Sequence, residues 1–160
     1  MSPPSRSDGT TYLIETRDDS EEYVISTFEK YYGDLLTDVV RNPADCDGVL
    51  LITTSHELPP DAFQRYVEVD AVVQTDIAIR DWTSEGVADS CAEVISDVLD
   101  GTAVSLSVNI WSTTSGGDEV RRLCEDALRA TGLVVDESGS GERGIRVDIV
   151  GDWAGISLNR

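Results

Sequence analysis

His56 is the only histidine in a chain of 160 residues, and that one count removes most catalytic options. A zinc site of the HExxH kind needs two histidines one helical turn apart, so none can form. A Ser–His–Asp or Cys–His arrangement would have to converge on His56 from distant segments. Nothing near His56 marks such a site, and an exposed loop histidine is the expectation. Cys46 stands between Asp45 and Asp47, and two adjacent carboxylates raise a thiol's pKa and oppose its use as a nucleophile. Cys91 and Cys124 form no CxxC pair, and three cysteines do not suggest a disulfide framework. Both fall on apolar helical faces, where a free cysteine behaves as a small buried hydrophobe. Neither Gly116-Gly117 nor the glycines from Gly139 to Gly144 match a phosphate-cradling loop. Asp118 and Glu119 occupy the first helical turn after Gly117 and would compete with a phosphate there. No catalytic residue, cofactor or metal is expected.

The cations are few enough to read singly. Eleven arginines and Lys30 face 19 Asp and 12 Glu, for a formal net charge of 12 − 31 = −19. Arg121, Arg122 and Arg129 share one helical segment, Arg146 lies on a later strand, and Arg160 ends the chain. Two readings of the helical group stand side by side. The spacings Arg121–Glu125, Arg122–Asp126 and Glu125–Arg129 permit intrahelical ion pairs. The same arginines could instead contact phosphates. Asn109 and Trp111 sit on the polar face and exit of a strand, where they could reach a sugar or a base. Trp111 could equally be packing, half inside the fold.

The acidity bears on every charge argument. A net −19 on a small protein repels nucleic acid and strains the compact state. Molar salt relieves that strain, because the screening length falls to about 3 Å at 1 M. Near-absence of lysine fits the same setting, since its apolar stem is hard to hydrate in concentrated salt. The chain reads as a cytoplasmic protein of an extreme halophile, the alternative being an ordinary acidic protein or one with a basic partner. No apolar run approaches the roughly 18–20 residues of a membrane span, and the N-terminal MSPPSRSDGT lacks a signal peptide's apolar stretch. Neither a membrane nor DNA is expected as a partner.

Around these residues the hydrophobic pattern lays out two domains. Residues 1–10 read as a flexible tail. Residues 11–81 carry an extended stretch from Tyr12, a helix over Ser20–Tyr32 with Val24, Phe28 and Tyr31 inward, and strands over Leu36–Arg41 and Val49–Thr53. A short helix opened by Pro59-Pro60 and a strand over Ala71–Ile79 complete the set. The order β-α-β-β-α-β is the ferredoxin-like arrangement. Residues 82–160 begin with a helix capped by Thr83 or Ser84, bearing Val87, Cys91, Val94, Ile95, Val98 and Leu99. An alternating strand follows, Val104, Leu106, Val108 and Ile110 against Ser105, Ser107, Asn109 and Trp111. A helix then runs to about Ala130 with Val120, Leu123, Cys124, Ala127 and Leu128 inward. The segment Glu137–Gly144 reads as a loop. Ile145, Val147 and Ile149 make a strand, and Gly151-Asp152 turns the chain into a last strand over Trp153–Leu158. The fold class is α+β.

The ending Ile145-Arg-Val-Asp-Ile-Val-Gly-Asp-Trp-Ala-Gly-Ile-Ser-Leu158, with the element order from Ser84 onward, resembles a THUMP domain. That RNA-binding module takes its name from thiouridine synthases, RNA methyltransferases and pseudouridine synthases. The resemblance covers residues 83–160, and a ferredoxin-like domain commonly precedes THUMP. It implies tRNA binding, commonly at the acceptor stem and 3′ end, in service of a modification enzyme. Where the family usually has basic residues after its first THUMP strand, this chain has Trp111-Ser-Thr-Thr-Ser115. No modifying domain is expected to follow Arg160. The chain therefore looks like the stand-alone, archaeal-type THUMP proteins, similar to the adaptor that presents tRNA to a cytidine N4-acetyltransferase. On that reading Arg121, Arg122, Arg129, Arg146 and Arg160 contact phosphates, and Asn109 with Trp111 reaches sugar or base. The alternative is an acidic protein-interaction or assembly module of THUMP fold that binds no RNA itself.

Overall fold

The computed structural model describes residues 5–6, 9–17, 19–59, 61–63, 69–95, 103–111, 117–136 and 143–159. They fall into two compact units, one within residues 7–75, the other within 76–160 joined by Ser5–Arg6.

The first unit holds β2 (Thr10–Thr16), α1 (Glu21–Tyr32), β3 (Leu36–Arg41), β4 (Val49–Thr54) and β5 (Val69–Thr75). Its sheet has the order β3-β4-β2-β5, every neighbour antiparallel. All six residues of β4, a run of apolar and β-branched residues at the inside of the sheet, are buried. The edge strand β3 is half exposed, and its register slips between Leu36 and Asp38. In α1, Val24 and Phe28 are buried as expected, whereas Tyr31 is 52% exposed. The inward stripe is Glu21, Val24, Ile25, Phe28 and Tyr32, spaced i, i+3, i+4, i+7 and i+11, which leaves Tyr31 on the solvent side. Glu21 is buried at the start of that stripe because its Oε1 accepts the Gly48 amide at 2.8 Å. Phe28 stacks on Phe63 at 5.7 Å between ring centroids. Asp61–Phe63 form a turn, and residues 64–68 of the expected second helix lie outside the described residues.

The second unit holds β1 (Ser5–Arg6), β6 (Ile77–Arg80), α2 (Ser84–Val94), β7 (Ala103–Ile110), α3 (Gly117–Ala130), β8 (Val134–Val135), β9 (Arg143–Val150) and β10 (Trp153–Asn159). Its sheet runs β1-β6-β10-β9-β7-β8, with β7 parallel to both β8 and β9 and the other neighbours antiparallel. The chain reaches this sheet earlier than the alternation Ala71–Ile79 suggests. Those residues form β5 and β6, which belong to different sheets. Asp76 makes the break: its amide donates to Ile156 O at 2.9 Å and its Oδ2 accepts the Leu158 amide at 2.8 Å. Division between the units thus falls at 75/76, ahead of the expected 81/82. Ser5–Arg6, within the expected tail, pair with β6.

Thr83 caps α2, its Oγ1 accepting the Gly86 amide at 3.0 Å. Val87 and Cys91 of α2 and Val120, Cys124 and Leu128 of α3 are buried against Ile145, Val147, Ile149, Ala154 and Ile156. Each of the Val, Leu and Ile side chains among them contributes roughly 1.5–3 kcal/mol by leaving water. Cys91 and Cys124 meet where the helices pack, with their sulfurs 3.5 Å apart. Gly151, at φ 60°, opens the β9–β10 turn, a conformation that favours glycine. Trp82 Nε1 donates to Gly151 O at 2.9 Å and holds that tip.

Candidate nucleic-acid interface

Alternation along β9 decides which residues can act together. Ile145, Val147 and Ile149 point to the core under α2 and α3, so Arg146 and Asp148 point to the opposite face. Parallel pairing sets Ser107 beside Arg146 and Asn109 beside Asp148. On the other side, Ser157 and Gly155 of β10 take the same rows. Three of the expected residues, Asn109, Trp111 and Arg146, therefore gather on one face.

Their geometry is specific. Trp111 follows β7, and its amide donates to Ile149 O at 2.9 Å, so its backbone extends the ladder by one residue. Its ring nitrogen Nε1 donates to Asp148 Oδ1 at 3.0 Å. Arg146 Nε donates to both Asp148 oxygens, at 3.1 and 2.9 Å. Asp148 is fully buried, while 28% of the Arg146 side chain remains exposed. A buried carboxylate needs paired charge and filled lone pairs, and these contacts provide both. Asn109 Nδ2 lies 3.4 Å from Ser107 Oγ. Trp111 is half-buried, with its polar edge committed to Asp148.

The α3 arginines belong to the other layer. Arg121 Nη1 donates to Leu106 O at 3.3 Å, reaching from the helix to the side of β7. Arg122 is exposed. Arg129 pairs with Glu125 at 3.4 Å and Asp126 at 3.8 Å, in line with the ion-pair reading of that helix. Arg160 and residues 112–116 lie outside the described residues. The expected set thus divides into a sheet-face group and a helix group.

Asp148 is the residue that sequence reasoning missed. Among 31 carboxylates a single one carries no signal. The available clue was its place in the alternation Ile145-Arg-Val-Asp-Ile149, which sets it on the Arg146 face of an otherwise apolar stretch.

Elsewhere, His56 is exposed, and among the described residues no group of three or more His, Cys, Asp or Glu is placed to hold a metal. No helix among them is long and apolar enough to cross a membrane. A cavity of about 430 Å³ in the first unit, walled by Tyr12, Leu58 and Phe63, contains none of the expected residues.

The chain is similar to three solved structures. It matches PH1313 from Pyrococcus horikoshii OT3 at 12% identity and a TM-score of 0.64, over 94% of this chain and 54% of that one. It matches TrmN from Thermus thermophilus at 14% identity and 0.60, over 93% and 45%. It matches a 4-thiouridine synthetase, solved in complex with RNA and ATP, at 12% identity and 0.58, over 95% and 41%. The shared fold is THUMP-like. This chain spans about half the length of those proteins or less. No family model matches the sequence, and no curated protein does. The likeness of fold thus extends over most of this chain at 12–14% sequence identity.

Proposed function

We propose that this protein binds tRNA, catalyses nothing itself, and presents the tRNA to a separately encoded modification enzyme, with a cytidine N4-acetyltransferase as the first candidate. The observation that carries the tRNA reading is Arg146 beside Trp111 on one sheet face. The guanidinium is anchored through Nε only, and its Nη groups have no partner among the described residues. A fixed fork of donors next to an aromatic ring suits a phosphate and its base. Asn109 and Ser107 add an amide and a hydroxyl within the same rows. Arg121, Arg122 and Arg160 would extend the phosphate contacts, whereas Arg129 is engaged with its own helix.

RNA as the ligand is supported by the fold, since one protein of similar fold was solved in complex with RNA. The non-catalytic part rests on the residue inventory, with one histidine and no nucleotide-cradling loop. In the same reading the first unit is ferredoxin-like, and its strand order β3-β4-β2-β5 suits that arrangement. Purification in high salt tests the proposal. RNA that co-purifies, seen in the ultraviolet ratio and identified as tRNA, supports it. A protein partner retained without RNA would favour the assembly-module reading, which the net charge of −19 permits.

A further inference from the structure

We infer that Asp148, although a carboxylate on the proposed RNA face, strengthens anion binding there by positioning Arg146; this rests on the tRNA-binding reading above. Asp148 is fully buried and receives Arg146 Nε on both oxygens, at 3.1 and 2.9 Å, and Trp111 Nε1 on Oδ1, at 3.0 Å. One carboxylate therefore holds the guanidinium and the indole in fixed relation. Among the described residues the anchoring uses only the Nε side of the guanidinium, which leaves its Nη donors for a ligand. An arginine free in solvent loses its rotamer freedom when it clasps a phosphate, and one already held does not. Asp148 and Arg146 together carry no net charge, so the clasp works through directed hydrogen bonds. That mode survives molar salt, which removes most of the counterion-driven attraction.

The inference has a sign opposite to simple electrostatics. Deleting a negative charge from an RNA-facing surface should tighten RNA binding, whereas deleting a positioning carboxylate should weaken it. Binding of tRNA by the full chain in about 2–3 M KCl would be compared for the native protein, Asp148→Asn, Arg146→Ala and the double variant. Asp148→Asn should weaken binding about tenfold, and the double variant should bind no more weakly than Arg146→Ala, because the two residues act as one unit. The Arg146 Nε–H signal in ¹H–¹⁵N spectra gives a readout that loss of stability alone would not move. It should exchange slowly in the native protein and lose that protection in Asp148→Asn. Should Asp148→Asn fail to fold, Arg146→Lys serves, since it keeps the charge and loses the fork; it should bind like Arg146→Ala. Unchanged or tighter binding by Asp148→Asn, or native affinity in Arg146→Lys, overturns the positioning role while leaving tRNA binding intact. No tRNA binding by the native protein overturns the tRNA reading, and this inference with it.

Discussion

Trp111 Nε1 lies 3.0 Å from Asp148 Oδ1, tying the first residue past β7 to the middle of β9 by a side-chain bond. The backbone bond from the Trp111 amide to Ile149 O, at 2.9 Å, runs beside it. Together they fix an aromatic ring at the strand exit, next to the only arginine of β9 whose side chain is described. The proposed RNA face is thus built on the sheet, with α2 and α3 supporting it from behind through Ile145, Val147 and Ile149.

The helix arginines should separate by their partners. Arg129 is half exposed and bound to Glu125 and Asp126. Arg129→Ala should cost about 0.3–0.5 kcal/mol of stability and leave tRNA affinity unchanged. Replacing Arg121 and Arg122 together should weaken tRNA binding at matched salt. Equal losses from both replacements would show that the whole helix face contacts RNA.

Much of this architecture is legible in the sequence, and the failures have physical causes. The α3 stripe of Val120, Cys124 and Leu128 and the Gly151-Asp152 turn appear where the periodicity places them, because one buried face and one glycine define them. Tyr31 misleads because helical spacing alone does not say where the centre of a buried stripe lies; the first-turn Glu21, drawn inward by the Gly48 amide, sets it. The alternation through Ala71–Ile79 continues across Asp76, and period-2 patterning cannot reveal that the chain changes partner strands there. The Trp111–Asp148 bond joins residues 37 positions apart, beyond any local pattern.

Thiol reactivity should follow burial. Cys91 and Cys124 are fully buried with sulfurs in contact. The hydrogen bond between them, burial, and the neighbouring thiol's charge all push the Cys91 thiol up. Cys46 is only half-buried. A maleimide reagent should therefore label Cys46 alone in the native protein and all three cysteines after unfolding. Rapid native labelling of Cys91 or Cys124 would show that α2 and α3 separate readily.

Tyr12 gives a pH dependence with a defined sign. Burial raises its phenol above the ordinary 10.0, the Leu58 amide that donates to the phenol oxygen at 2.8 Å lowers it, and the Glu57 carboxylate raises it again. The net is upward. The unfolded chain then releases this proton first, so the stability held by the neutral phenol is complete below the unfolded pKa. It is lost as pH rises through the folded one. Tyr12→Phe, which forfeits the Leu58 bond, should cost about 1 kcal/mol near neutral pH. The gap between the two proteins should narrow above about pH 10. Denaturant titrations across that range check it, and a gap that widens would contradict the sign.

Salt should stabilise the fold. With 31 acidic residues against 12 basic ones, self-repulsion opposes compaction, and the screening length shrinks from about 10 Å at 0.1 M to about 3 Å at 1 M. The thermal midpoint should climb steeply with KCl over that interval and flatten beyond it. A midpoint indifferent to KCl would remove the argument that the acidity is an adaptation to salt.

The most direct test of tRNA binding is a titration of the purified protein with total tRNA in about 2–3 M KCl, beside poly(U) and a tRNA trimmed at its 3′ end. High salt suppresses nonspecific phosphate attraction, so binding that remains reports directed contacts. Selective binding of intact tRNA, lost on 3′ trimming and weakened by Arg146→Ala, is the expected result. Equal affinity for tRNA and poly(U), or no binding to either, would contradict the proposed function.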